Sequence, residues 1–457
     1  MRFILSLTFL ISFYTAWSQP AQPLSLRNRR TSTITQQGEI LTLQDAISAA
    51  LEKNYQIRIF RSQEQIARTD FKTAKAGFFP FLTGNLTNNN NLQNLRQEYL
   101  NALQPPQYLY GVNNRNTQIG VQLNWTVFNG FGNFIAYDRL GEVVKISEVN
   151  TRANIEATVA DVATGYYDVI RQLQQLVSLR QALDISRDRL ELARANYEVG
   201  TRSRVDFLSA QVDYNTDSSA LVTQQQNVRN AKVLLNTLIV RDPSTEFAVR
   251  DTIIIRTDIS LDQLKEQLTT NNPLLIAAAL NRRVANLNVK LAQAGRLPTV
   301  NLVGGYNFTA INNQGGFGVR SARNDALVYG IQASVPIFTG FNQRRLIANA
   351  QTNALVSEYQ ESDQRLQLQQ ALEQTYSQYR NSIILVNLEL ESFRIANQNV
   401  EIAFERYRVG NSTAVEFRDV QRNAVAAETR LINAEFNTKT AEIELLRLSS
   451  QILQQTK

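Results

Sequence analysis

Two periods take turns along this chain. From Gln118 to Val127 apolar and polar residues alternate, with Ile119, Val121, Leu123, Trp125 and Val127 on one face and Gln118, Gly120, Gln122, Asn124 and Thr126 on the other. That is the period-two pattern of a strand with one apolar face. The segment from Tyr329 to Ile337 repeats it, setting Tyr329, Ile331, Ala333, Val335 and Ile337 against Gly330, Gln332, Ser334 and Pro336. Leu82–Asn88 and Val300–Phe308 alternate too and supply the partner strands. The stretches between partners, Asn89–Asn116 and Thr309–Leu327, are rich in Asn, Gly and Gln and read as polar surface loops. After each strand pair the period becomes helical. Asn342–Val409 holds neither Gly nor Pro, and Leu355, Tyr359, Leu366, Leu372, Tyr376 and Tyr379 recur at helical spacing. At 1.5 Å per residue this predicts a helix on the order of 100 Å long. Asn133–Val199 is its twin, interrupted only by Gly141 and Gly165. Shorter helices are expected over Leu43–Ala76, with its N-cap signal at Thr42 and its stop at Pro80, over Val205–Val240, and over Leu261–Gln293 before Pro298.

These elements occur twice. LTLQDAISAALEKN, starting at Leu41, returns as ISLDQLKEQLTTNN at Ile259, and Ala76-Gly77-Phe78-Phe79-Pro80 returns as Ala294-Gly295-Arg296-Leu297-Pro298, about 218 residues on. Val127-Phe128-Asn129-Gly130-Phe131 then matches Ile337-Phe338-Thr339-Gly340-Phe341, and Tyr197-Glu198-Val199-Gly200 matches Tyr407-Arg408-Val409-Gly410, now about 210 residues on. The first copy therefore carries the longer strand-to-strand loop, where insertion costs least. Both long helices stop at Val-Gly, and Gly200 and Gly410 suit the left-handed position just past a helix.

Composition narrows the function. The chain has neither His nor Cys, which removes the commonest metal ligands, the commonest general base and any disulfide framework. No nucleophile elbow or phosphate-binding loop is present, so nothing signals catalysis, a metal or a cofactor. With Met1 its only methionine, the chain is also poorly suited to relaying a soft metal. The net charge of +7 is spread out, and doublets such as Arg282-Arg283 never grow into a basic run, which argues against a nucleic-acid partner. MRFILSLTFLISFYTAWSQP combines a basic Arg2, an apolar run and small residues at Ala16 and Ser18, as a secretory signal peptide cleaved after Ser18 does. No other stretch approaches 18 apolar residues, so membrane insertion must use strands.

Strands of about ten residues, tilted near 45°, span the apolar layer of a bilayer. A half-buried strand in a soluble sandwich shows the same alternation. The aromatics favour the membrane: Phe78, Phe79, Phe81, Phe128, Phe131 and Phe134 gather at one end of the first hairpin, and Phe338 and Phe341 at the same end of the second, like an interfacial girdle. Four strands cannot close a barrel, and open edges are forbidden in lipid. A homotrimer would supply twelve strands, an even number in the usual range. The long helices likewise need partners along their whole length.

The signal peptide, the two repeats, the AGxxP before each first strand, the VFxGF or IFxGF after each second strand, and the YxVG followed by V-[DE]-F at each helix turn resemble the TolC-type outer-membrane efflux family. The resemblance covers about residues 41–450. It implies a mainly α fold with transmembrane β: a duplicated unit of strand hairpin and long helix, forming as a homotrimer a twelve-stranded barrel and a periplasmic helical tunnel. It implies an outer-membrane exit duct of a tripartite efflux or type I secretion system in a Gram-negative bacterium, working passively with a periplasmic adaptor and an inner-membrane pump. Segments 1–18, 19–40, 41–240, 241–258, 259–450 and 451–457 would be signal peptide, extended N-terminal segment, first repeat, linker or equatorial segment, second repeat and tail.

The resemblance also implies site residues. Adaptor contact falls at Val199, Gly200 and Thr201, and at Val409, Gly410 and Asn411. An aperture latch falls on Asp206 and Tyr407, and a pore constriction on Glu416 and Asp419. Where a family member has an arginine two residues past the second glycine this chain has Ser412, with Arg202, Arg406 and Arg408 as nearby substitutes. Glu416 and Asp419 share a helix face and are either solvated carboxylates or, under three-fold symmetry, two stacked rings that favour cations. Tyr407 fits ordinary helix packing as well as a latch. A periplasmic adaptor or a coiled-coil scaffold would also carry long helices, but neither calls for strand pairs ahead of each one.

Overall fold

The computed structural model describes residues 38–454 apart from 99, 101–104, 250–251 and 316–318. The expected signal peptide, most of the N-terminal segment and residues 455–457 of the tail lie outside the described residues. Four antiparallel strands form one sheet in the order β2 (Phe81–Gln97), β3 (Gln107–Asn129), β5 (Thr299–Asn313), β6 (Ser321–Ser334). The register aligns the apolar sets of both hairpins. Leu82 lies opposite Leu123, Leu123 opposite Gly304 and Gly304 opposite Tyr329, while Leu86, Ile119 and Phe308 share another row. One face is thus mostly apolar across the inner rows, Asp325 of β6 ending the Phe308 row, and the other carries Thr83, Gln122, Asn124, Asn301 and Gln332. A one-residue slip would turn every one of these residues over.

The strands run further than the periodicity predicts. Most of Asn89–Asn116 and much of Thr309–Leu327 is ladder, not loop. Asn is disfavoured in strands because its amide competes for backbone partners. Here the amides bond across the hairpin instead: Arg115 Nε donates to Asn90 Oδ1 (2.9 Å), and the Gly111 N–H donates to Asn94 Oδ1 (2.8 Å) beside a bulge at Gln93/Leu95. At the other end β6 stops at Ser334 rather than Ile337. Pro336 has no N–H to give to a ladder.

Where sheet becomes helix, the repeated motifs meet. Gly130 and Phe131 both have positive φ (65° and 67°), as do Gly340 and Phe341 (60° and 63°), and two left-handed residues in succession turn each strand into its long helix. For phenylalanine that conformation is strained. Ring contacts support it, Phe128 on Phe131 at 5.2 Å and Phe338 on Phe341 at 5.5 Å. The AGxxP segment is tied to the same junction, since Asn133 Nδ2 donates to the Gly77 carbonyl (2.7 Å) and Trp125 Nε1 to that of Phe78 (2.8 Å).

The long helices are α3 (Gly132–Glu198) and α7 (Asn342–Arg408), 67 residues each and so about 100 Å long. Four shorter helices flank them: α2 (Tyr55–Thr73) and α6 (Pro273–Ala294) near the sheet, α4 (Arg204–Leu238) and α8 (Ala414–Leu448) near the far end. The predicted single helices Leu43–Ala76 and Leu261–Gln293 are each broken. A short helix, α1 (Leu43–Lys53) or α5 (Leu261–Asn271), is separated from α2 or α6 at Asn54 or Asn272, and a 3-10 turn, Ala74–Phe78, follows α2. The break has a specific cause. Asn272 Oδ1 accepts from the N–H groups of Leu274 and Leu275, and its amide donates to the Leu448 carbonyl at the end of α8 (2.9 Å). Asn54 does the same for α2 and the Leu238 carbonyl of α4. Each asparagine thus splices the lower helix end to end onto the upper one, beside the long helix. Each such bond, buried at Asn272 and partly buried at Asn54, contributes on the order of 1 kcal/mol.

At this splice level lies the largest core, where Val159, Val162, Tyr166 and Val169 of α3 pack on α1, the ends of α4 and α8, and Phe247 of the two-residue strand β4 (Phe247–Ala248), which pairs in parallel with β1 (Glu39–Ile40). Burial there raises the pKa of Asp161 above the ordinary carboxylate value against the opposing pull of Arg447. The helices lie side by side as α2, α3, α6, α7 near the sheet and α4, α3, α8, α7 beyond it. The layer is open at both sides, as is the sheet at β2 and β6.

Candidate functional site

The sequence-predicted site residues gather at the far end of the helices, in two equivalent turns. In the first, Gly200 has φ 75°; its N–H donates to the Tyr197 carbonyl (3.0 Å), and that of Thr201 to Asn196 (2.9 Å). In the second, Gly410 has φ 81°, with N–H groups of Gly410 and Asn411 on the carbonyls of Tyr407 and Arg406. Both are Schellman caps, which need a residue without Cβ strain at the glycine. The next helix starts at once. Ser203 Oγ accepts from the Asp206 N–H (3.2 Å) and Thr413 Oγ1 from that of Glu416 (3.1 Å). Val199, Gly200, Thr201, Val409, Gly410 and Asn411 are all exposed at this tip.

Asp206 and Glu416 therefore hold the same place in the two repeats, the third residue of α4 and of α8. A carboxylate there faces the positive end of the helix dipole. Glu416 has further partners: Arg406 Nη1 at 3.1 Å and the Ser412 hydroxyl at 2.9 Å. Asp419 is exposed and has no ion pair among the described residues. Each chain thus offers two carboxylates and one arginine on this face of the tip.

Tyr407 is fully buried. Its ring stacks on Phe417 (5.7 Å) and lies under the Arg202 guanidinium (4.8 Å), so a residue of the first turn covers one of the second. Its hydroxyl has no hydrogen-bond partner among the described residues, Asp206 included. Of the three arginines considered in place of Ser412, Arg202 lies on Tyr407, Arg406 on Glu416, and Arg408 on Glu405 (2.7 Å).

A second cluster, not evident from the sequence, lies a few turns back from the tip. Arg418 of α8 makes a two-pronged bond to Asp217 of α4 (2.7 and 2.8 Å) and approaches Asp213 (3.4 Å). Asp213 also pairs with the fully buried Arg189 of α3 (2.8 Å), whose Nε and Nη1 have no partner among the described residues. Asp217 accepts from the Ser186 hydroxyl, and Gln421 donates to Ser186 and to the Ala182 carbonyl. Hydrogen bonding to Asp217 raises the Arg418 pKa above its ordinary value. Arg189 falls in the buried stripe Ala182, Ser186, Arg189, Ala193. A charge in such a stripe was the one signal for this cluster.

The family model of outer membrane efflux proteins matches residues 46–239 and 264–450. The outer membrane protein TolC of Vibrio cholerae serotype O1 is 24% identical over 319 residues, covering 68% of this chain and 72% of that protein. The outer membrane efflux protein BepC of Brucella suis biovar 1 is 21% identical over 415 residues, 90% of this chain and 86% of that one. Among solved structures, the outer-membrane channel OprN superposes with a TM-score of 0.74 at 17% identity over 90% of each chain. The CmeC outer membrane channel of Campylobacter jejuni does so with 0.72 at 14% identity over 94% of each.

Proposed function

We infer the function from one premise: the chain belongs to the outer membrane efflux protein family. It is an outer-membrane channel of a Gram-negative bacterium, extending into the periplasm, and serves efflux. The observation that carries this reading is the largely apolar face of the open sheet's inner rows, set directly on helices of about 100 Å. No helix among the described residues is long and apolar enough to cross a membrane. A scaffold or an adaptor has no use for such a sheet.

The finer reading is as follows. Three copies join β6 of one to β2 of the next, closing a twelve-stranded barrel over a tunnel of helices, which satisfies every strand edge. The turns at Val199–Thr201 and Val409–Asn411 meet a periplasmic adaptor bound to an inner-membrane pump. Glu416 and Asp419 line the constriction. Closure rests on the stack of Arg202 over Tyr407, with Asp206 in the first turn of the adjoining α4. The protein acts by shape and charge and performs no catalysis. Deleting its gene should trap pump cargo in the cell, and restoring the intact gene should release it. Unchanged export in the deletion strain would contradict the role.

A further inference from the structure

The charged side chains of the four strands are Arg96, Arg115, Arg323 and Asp325. Arg96, beyond the bulge, is partnered by Glu98 and the Tyr108 ring. The other three sit on the face least suited to a charge. Arg115 shares the face of Ile119, Val121 and Leu123 on β3, and Arg323 and Asp325 share that of Leu327, Tyr329 and Ile331 on β6, since every second strand residue points the same way. A water-filled lumen would solvate them on the opposite face, whereas this face meets lipid. Depth accounts for the placement. Arg115 is 13 residues from Phe128 of the aromatic girdle. At about 3.4 Å per residue and a tilt near 45°, it stands about 30 Å from that girdle, past an apolar band about 25 Å tall. The helices leave from the girdle end, so Arg115 lies at the headgroups of the outer leaflet, where a charge facing lipid costs little.

Arg323 is two strands away from Arg115 and one row nearer the girdle, through Thr117 and Ala310, which puts their Cα atoms about 12 Å apart. Arg115 Nε donates to Asn90 Oδ1 (2.9 Å), and its two Nη groups have no partner among the described residues. Arg323 is exposed, with no ion pair among them. Asp325, one row further in, leaves a net charge of +1 on this face of each chain, two arginines against one aspartate. Around the arginines the face turns from apolar to amide and hydroxyl, with Asn88 and Thr117 in the Arg323 row and Asn90 and Asn312 in the Arg115 row.

Resting on the reading of this face as lipid-facing, we propose that Arg115 and Arg323 form a docking surface on the outside of the barrel for the phosphorylated glycolipid of the outer leaflet. The guanidinium groups take its phosphates, which match their forked N–H donors. The neighbouring amides and hydroxyls take its sugar hydroxyls.

The test titrates the full-length protein, purified in detergent and freed of bound lipid, with lipid A in mixed micelles, and native mass spectrometry reads the occupancy. Lipid A with its phosphates should bind about tenfold or more tighter than lipid A stripped of them. Arg115→Gln with Arg323→Gln should erase that difference, and Arg115→Lys with Arg323→Lys should keep part of it. Equal binding of the two forms by the wild type would overturn the inference whether or not the variants assemble, as would full discrimination in the Gln double variant. Phosphatidylglycerol binding as tightly as lipid A would reduce the surface to a general attraction for anions. Complete displacement of lipid A by inorganic phosphate at equal phosphate concentration would make it a site for the free ion. Either result overturns the inference too. A wild-type protein that fails to insert into lipid vesicles defeats the lipid-facing reading itself, whereas insertion without phosphate discrimination defeats this inference alone.

Discussion

Replacing Glu416 by Gln and Asp419 by Asn together should erase the cation preference of the reconstituted channel, and with it block by multivalent cations from the periplasmic side. Three-fold symmetry would bring six carboxylates to a narrow passage, with three Arg406 side chains against the Glu416 set. A wild-type constriction so lined would keep a negative excess, while in the double variant Arg406 would be left without its partner. Fields in narrow, low-dielectric passages shift local ion concentrations by about tenfold or more, so the preference should fall by at least that factor and can pass to anions. Either single change removes one negative charge per chain and should have an intermediate effect. Reversal potentials in a planar bilayer under a salt gradient give the answer. A double variant with wild-type selectivity and block would make Glu416 and Asp419 ordinary surface charges of the first turns of α8.

The second large effect is expected at Gly410. Valine there should abolish export while leaving the amount of assembled protein in the membrane near normal. Nothing lies within contact distance of a Cβ added at Gly410, so the substitution creates no clash. The cost comes from the backbone, since φ of 81° is a left-handed conformation that costs a β-branched residue on the order of 1–2 kcal/mol. A turn can relieve that by opening its Schellman cap, which moves the exposed Val409 and Asn411 where the adaptor would bind. Alanine, without the branch, should do less. Immunoblotting of outer-membrane fractions alongside an export assay separates the two roles. If the protein itself disappears, the turn serves folding rather than docking.

How much of this was legible in the sequence depended on how local each cause is. The long helices were placed to within a residue because nothing breaks them before the Val-Gly stops. The inner halves of the strands were legible because their alternation faces lipid. Their outer halves were not, because strings of asparagine resemble loop until cross-strand partners such as Asn90 with Arg115 are known. The breaks at Asn54 and Asn272 were hidden because each asparagine takes its decisive bond from the end of a helix more than 170 residues away. Pro273, directly after Asn272, was the one local hint. At the tip, the glycines and the acidic residues were found from their repeated motif. The pairing of Arg406 with Glu416 and the cover of Arg202 over Tyr407 depend on how the two turns pack together. The cluster around Arg418 lay further out of reach, its main partner being 201 residues away.

All of this rests on the open sheet closing through neighbouring copies. The direct measurement is the mass of the purified, detergent-solubilised protein by light scattering with the detergent contribution subtracted, taken together with its β-sheet circular dichroism. The account predicts a single species of three chains that keeps its strand content, and a stable monomer with that content intact would contradict it.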